Sequence, residues 1–228
     1  MKQVDLLIHS AGQLVTSASP TGPKRGSAMQ SPGIIENGAV AIVGELIAAV
    51  GETQAIRGEY SARQEIDARG LVVLPGFVDP HTHLVFAGSR VNDFERRLQG
   101  ASYLEILAEG GGIISTARAT RKATPAALKA TARRNLERMS ILGATTVEVK
   151  TGYGLDLETE LKMLEVAAEL DQEMPVTIVP TFMPAHAIPI TGIHFGIGQD
   201  DVFYRNGAAT AARSSNAIWV AVDGVRLE

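Results

Sequence analysis

Pro75-Gly76-Phe77-Val78-Asp79-Pro80-His81-Thr82-His83-Leu84 is the stretch from which the rest of the chain can be read. Two histidines one residue apart, at the end of an apolar strand, turn both imidazoles to one side, because side chains at i and i+2 of an extended chain share a face. Such a pair can bind one divalent cation. A bare His-x-His also arises by chance on protein surfaces. Here it follows the apolar run Leu71-Val72-Val73-Leu74 and a Pro-Gly turn signal, with Asp79 two residues ahead of the first histidine, and that setting favours a metal. The chain has no cysteine, which removes disulfides, thiolate nucleophiles and Cys-ligated metals, so any metal must rest on His, Asp and Glu. Only five histidines are on offer.

Upstream, the first seventy residues read as short strands and turns. Val4 to Ile8 is one apolar run; Ala39 to Val43, a turn at Gly44-Glu45 and Leu46 to Val50 form a hairpin pattern. Residues 17 to 33 are rich in Ser, Thr, Pro and Gly and read as a loop or flap. Glu65 to Ala68 reads as a third strand, followed by Leu71 to Leu74.

Downstream, strand and helix alternate. Thr124-Pro125 supplies an N-cap and a first-turn proline, after which Leu128, Ala132, Leu136, Met139 and Leu142 recur at helical spacing, ending at Gly143. Thr145 to Lys150 is a β-branched strand. Asp156 caps a second helix whose expected buried face is Leu157, Leu161, Leu164 and Ala168; Pro175 closes it, and Val176 to Phe182 is the next strand. Repeated strand–helix order implies parallel pairing, since parallel neighbours need a crossover helix. Residues 191 to 217 show no defensible period, and Ile218 to Val222 with Val225 to Leu227 suggest a terminal hairpin around Asp223-Gly224.

In a barrel of parallel strands the loops at the carboxyl ends converge on one mouth. His81, His83, Arg90, Tyr153 and His186 each follow a predicted strand, so this topology would gather them. Each has a plainer reading too: Arg90 as a solvated charge, Tyr153 as a packing residue between Gly152 and Gly154, His186 as a loop polar group. His9 and His194 read as structural. Gly110-Gly111-Gly112 can approach an anion or simply turn the chain, and without a following Lys-Ser/Thr it is no phosphate loop.

The segment Pro75 to Leu84 resembles the metal-binding signature of the amidohydrolase superfamily. Within it, Phe86-Ala87-Gly88-Ser89-Arg90, Arg97 to Tyr103, Gly110 to Ile113, Thr145 to Leu155 and Pro180 to Ala187 are similar in order and register to the imidazolonepropionase family, from about residue 1 to 189. The resemblance implies an α/β fold: a partial TIM-type (β/α) barrel over 71–190, preceded by a small β-sandwich segment over 1–70 and followed by a divergent tail, 191–228. It implies His81 and His83 as ligands of one zinc or iron ion, Arg90 as the holder of a propionate carboxylate, and Tyr153 and His186 as contacts to the imidazolone ring or the product. The implied reaction is hydrolysis of 4-imidazolone-5-propanoate to N-formimidoyl-L-glutamate in histidine degradation.

The family's third metal-binding histidine, its glutamate near the reacting water and its metal-associated aspartate have no recognisable place after Pro189, so no catalytic base is assigned. The 115 residues from Pro75 to Pro189 compare with about 250 for a complete barrel. Impaired turnover is therefore expected. The alternatives are another cyclic-amide amidohydrolase, or a non-catalytic truncated or frame-shifted product. With 21 basic against 25 acidic residues and no long run of either, nucleic acid is not an expected partner. No apolar stretch approaches the roughly 18 residues of a membrane span, and Met1 to Asp5 carries no signal-peptide core. The expectation is a cytoplasmic protein acting on a small molecule, with room for a homodimer.

Overall fold

A computed structural model of the chain describes residues 1–19, 22–184, 186 and 187, and beyond them the backbone of the short strands His194–Ile197, Asp200–Arg205, Ala208–Ala209, Ala221–Val222 and Val225–Arg226. The chain divides into two compact units, Met1–Gly76 and Phe77–Glu228. Among the described residues no helix is long and apolar enough to cross a membrane.

The first unit is a five-stranded sheet. Lys2–Val15 (β1) pairs antiparallel with Ile34–Val43 (β2), which continues through the Gly44 turn into antiparallel Leu46–Glu52 (β3). The hairpin lies where the sequence placed it. Thr53–Glu59 forms a helix (α1) that the sequence reading did not anticipate. Its anchor is the Thr53 hydroxyl, which accepts from the Ser10 N–H and donates to the Asn37 carbonyl. Tyr60–Asp67 (β4) and Val72–Val73 (β5) both run parallel to β1. The apolar run Leu71 to Leu74 is therefore no lead-in strand to the histidine pair; only Val72 and Val73 pair, and they pair with β1.

The second unit carries the alternating pattern. Phe77–Thr82 (β6) holds the first histidine and is followed by helices Val91–Leu98 (α2), Tyr103–Ala108 (α3), Gly112–Lys122 (α4) and Pro125–Ile141 (α5). Then come Ala144–Lys150 (β7), Leu157–Glu173 (α6) and Thr177–Thr181 (β8). The three strands form one parallel sheet in the order β6-β7-β8. Helix starts follow from local chemistry. The Thr124 hydroxyl accepts from the Ala127 N–H with Pro125 at the first helical position, Asp156 accepts from Thr159, and Ser102 with Glu105 closes a reciprocal capping box.

The core gathers Val147 and Val149 of β7, Leu128, Ala132 and Leu136 of α5, Met163, Val166, Ala167 and Leu170 of α6, and Ile178 of β8. The expected face of α5 is buried through Leu136, whereas Leu142 is exposed. For α6 the expected face is wrong. Leu157 and Leu161 are 37% and 40% exposed, and the buried stripe is Thr159, Glu160, Met163, Val166, Ala167 and Leu170. The leucines mark a helical period that is real but rotated from the one that packs, because the stripe turned to the core includes a carboxylate. Strands also form between 194 and 209, where none was expected: Phe195-x-Ile197 and Val202-x-Tyr204 each provide one short alternation, and His194–Ile197 pairs antiparallel with Asp200–Arg205. The terminal hairpin is present as Ala221–Val222 against Val225–Arg226.

The rotated face of α6 has a direct consequence for stability. Leu170→Ala is expected to cost about 2–5 kcal/mol, as for fully buried leucines elsewhere, whereas Leu161→Ala is expected to cost less than about 1 kcal/mol. Urea denaturation of the two variants distinguishes the faces; equal losses would place Leu161 in the core.

Candidate active site

His81 lies near the end of β6 and His83 just beyond it. The Asp79 carboxylate accepts from the His81 N–H at 3.2 Å, and the intervening Thr82 hydroxyl donates to the Glu148 carbonyl of β7 at 2.7 Å. Thr82 is thus tied to the neighbouring strand, and the imidazoles on either side of it approach to 5.8 Å between centroids. Tyr153, on the loop after β7, stacks on the His83 ring at 4.6 Å and 22°. His186, on the loop after β8, packs against the same ring at 4.4 Å, with Tyr153 5.6 Å away. Three strand-end loops therefore meet at His83, and His81, Tyr153 and His186 come together as the parallel topology predicts.

Both ring nitrogens of His83 are buried and have no hydrogen-bond partner among the described residues. Burial, reinforced by the neighbouring His186, His81 and Lys150, pushes the His83 imidazole down to about 4; the backbone at Thr151 offsets part of this without closing a proper hydrogen bond. Burial and then His81 lower His186 as well, against a smaller opposing pull from Glu160. His83 is thus neutral at pH 7, with one ring nitrogen's lone pair available, which is the ligating form of imidazole. An orphaned polar group of this kind calls for an explanation, and a metal ion held with His81 fits it. Among the described residues there is no group of three or more His, Asp or Glu side chains able to hold a metal. Two histidines are fewer than the three protein ligands a catalytic zinc normally takes.

Arg90 makes none of these ring contacts. It stands just before α2, and its Nε donates to Asp93 Oδ2 at 2.9 Å. The same oxygen accepts from the Gly112 N–H at 2.8 Å. This explains the triple glycine: a Cβ on Gly111 would lie 2.9 Å from Asp93 Oδ1, and Gly112 sits at φ +64°. The loop closes on the chain's own carboxylate.

The loop carrying Tyr153 is held by residues that the sequence reading passed over. Glu160, fully buried, accepts from the Gly152 N–H with one carboxylate oxygen and from the Gly154 and Leu155 N–H groups with the other, at 2.7–2.8 Å. Arg121 grips the same turn from its other side, donating to the Gly154 and Leu155 carbonyls and pairing with Asp156. An acid at the first turn of a helix that begins just after a Gly-x-Gly loop was the available signal; it reads equally as a favourable helix-dipole charge.

Residues 64–102 match the amidohydrolase family. The imidazolonepropionase of Chloroflexus aggregans is 53% identical over 189 residues, which cover 83% of this chain and 44% of that protein. The imidazolonepropionase of Bacillus cytotoxicus is 50% identical over 186 residues, 82% of this chain and 44% of the relative. Over that length the chain is homologous to imidazolonepropionases. It spans less than half the length of these relatives. The structure of E. coli guanine deaminase superimposes with a TM-score of 0.53 at 18% identity, covering 79% of this chain and 37% of that one, and shares its α/β fold.

The Asp93 contacts carry a pH dependence. Arg90 and then the Gly112 N–H hold the Asp93 carboxyl below its ordinary value of 3.8, against a smaller opposing effect of burial. The folded chain favours the ionised acid, so the stabilisation is complete above the ordinary Asp range and is lost as pH falls through the depressed value. An NMR titration of Asp93 is expected to show a midpoint below 3.8, and Asp93→Asn to speed exchange of the Gly112 amide about tenfold. A midpoint at or above the ordinary value would break the assignment.

Proposed function

We propose that this chain is the part of an imidazolonepropionase that binds the ring and acid tail of the substrate and supplies the first two metal ligands. The reaction is hydrolysis of the cyclic amide of 4-imidazolone-5-propanoate to N-formimidoyl-L-glutamate: the ring C–N bond breaks, hydroxyl adds to the carbonyl carbon and the proton goes to nitrogen. The observation that carries this reading is the His83 ring, its two nitrogens buried and unpartnered among the described residues and packed against His81, Tyr153 and His186, in a stretch of about 189 residues half identical to imidazolonepropionases. The three parallel strands β6, β7 and β8 are read as the opening strands of a (β/α) barrel; with Val72–Val73 in the sheet of the first unit, that barrel is read from Phe77 to about 190 rather than from 71, after a small β-sandwich segment, and 191–228 is read as a divergent tail.

His81 and His83 would hold one divalent ion, zinc or iron, which supplies Lewis acidity at the ring carbonyl. Tyr153 and His186 offer aromatic faces to a planar imidazolone and exclude water from the side on which they lie. Arg90, with its Nε committed to Asp93, keeps its terminal nitrogens for the propionate carboxylate, a pairing that fixes the tail bidentately. The Asp93 contact orients the guanidinium in advance, which lowers the ordering cost of binding.

The experiment is to load the protein with zinc or ferrous ion and follow N-formimidoyl-L-glutamate production. Imidazolone propionate is the expected preferred substrate, and faster turnover of dihydroorotate, hydantoin or guanine would overturn the assignment. His83→Ala is expected to lower retained metal at least about tenfold on dialysis and to remove turnover, with the far-ultraviolet circular dichroism unchanged. Arg90→Ala is expected to raise KM at least about tenfold for the carboxylate substrate. One observation favours a second reading, in which the 228 residues bind but do not turn over: the described residues contain no group of three metal-binding side chains. Metal loss from wild type on dialysis, together with no product from any of the rings, would select it.

A further inference from the structure

The geometry points to Glu160 as a positioning residue for the candidate active site: its buried carboxylate sets the backbone of the Gly152–Leu155 turn and thereby places both Tyr153 and His186 against His83. The carboxylate is fully buried and collects three backbone N–H groups, from Gly152, Gly154 and Leu155. The turn cannot relax around it. Gly152 sits at φ +116° and Leu155 at φ +57°, conformations that this sequence must be held in. A Cβ on Gly154 would meet Glu160 Oε1 at 2.9 Å, so the backbone has come as close to the acid as a residue without a side chain allows.

Tyr153 lies between the two captured glycine amides, so its Cα is fixed from both sides, and the ring stacks on His83 at 4.6 Å. The effect reaches the other partner through Gly152, whose own Cβ would lie 2.6 Å from His186 Cβ and 2.9 Å from the Met183 carbonyl. The neighbouring Thr151 hydroxyl accepts from the Met183 N–H at 2.9 Å, tying the 183–186 turn to the same backbone. One buried acid thus registers two loops from two different strands onto one histidine. Among the described residues the Glu160 carboxylate makes its hydrogen bonds to peptide N–H groups and none to the rings, so its placing of the rings passes through the backbone, beside a smaller direct electrostatic pull on His186.

Wild-type NMR supplies the first test: the Gly152, Gly154 and Leu155 amide protons are expected downfield and slow to exchange, as charge-assisted donors are. Ordinary shifts with fast exchange would overturn the proposal without any variant. In Glu160→Gln, which keeps one acceptor oxygen, the Tyr153 ring-current shift on the His83 ring protons is expected to fall to about half. KM for imidazolone propionate is expected to rise about tenfold with kcat within about threefold of wild type. Leu170→Ala, which weakens the same helix through packing alone, is expected to leave the ring shift and KM in place. A Glu160→Gln protein that loses stability like Leu170→Ala yet keeps the His83 ring shift would reduce Glu160 to a structural residue. The KM comparison rests on the proposed function and the NMR comparison does not: a lost ring shift in Glu160→Gln, where the wild type hydrolyses no imidazolone propionate, counts against the proposed hydrolysis and leaves the positioning role standing.

Discussion

Val147 and Val149 lie on one face of β7, shut from water with α5 and α6, and the alternation of the strand turns Thr146, Glu148 and Lys150 to the other. Each valine contributes roughly 1.5–3 kcal/mol by its burial. A slip of one residue would exchange the faces, driving Glu148 and Lys150 into the core with their charges. Register along the sheet is fixed by that difference, and with it the heights at which β6, β7 and β8 end. The polar face is organised in turn: the Thr82 hydroxyl bonds the Glu148 carbonyl, and Lys150 and then the Thr181 hydroxyl hold the Glu148 carboxyl below its ordinary range. All three strands are thus cross-tied just below the ring cluster.

The polar groups above this sheet fall into two unlike conditions. Glu160 is buried and fully engaged, whereas the half-buried His83 has both ring nitrogens shut from water and without a partner among the described residues. Leaving an imidazole without partners costs the folded chain on the order of 1–3 kcal/mol, and here the packed rings of Tyr153 and His186 keep both nitrogens from water. The neutral state enforced by that burial is the one able to ligate a cation. The two groups differ in what they do within the fold: the acid ties three peptide units together, and the histidine nitrogens bond to none of the described residues.

The sequence showed most of what is local. Thr124-Pro125 and Asp156 begin helices because a hydroxyl or carboxylate cap competes successfully for the first amides, and Gly44 turns the hairpin because it can take a positive φ. His81, Tyr153 and His186 could be grouped because strand–helix alternation forces their loops to one end. What could not be read depends on partners distant in the chain. The burial of α6 on Glu160 rather than Leu161 requires knowing that three loop amides wait for the acid. Leu71 to Leu74 reads as the strand before the histidines because apolar runs do not say which sheet they join. Helix α1 is short, carries Gly58 in its last turn and is fixed by Thr53 bonding to Ser10 of β1 and Asn37 of β2, so its periodicity is too brief to register.

The two glycine-rich motifs, Gly110-Gly111-Gly112 and Gly152-Tyr153-Gly154, have the same physical explanation. Glycines that bare backbone amides ahead of a helix are commonly read as a cradle for a ligand's anion. In both places the anion is a carboxylate of this chain, Asp93 in one case and Glu160 in the other, and the space a ligand would need is taken: a Cβ on Gly111 or Gly154 would already be within 2.9 Å of the acid. The amides of these loops are spent on internal anions, so under the proposed function recognition falls to side chains the loops carry or adjoin. Asp93 leaves Arg90 with its Nε occupied and its outer nitrogens to offer, and Glu160 leaves Tyr153 standing between two immobilised peptide units. A flexible loop would have to lose its freedom each time a ligand bound; here that loss has already been met in folding, by acids that never leave the protein.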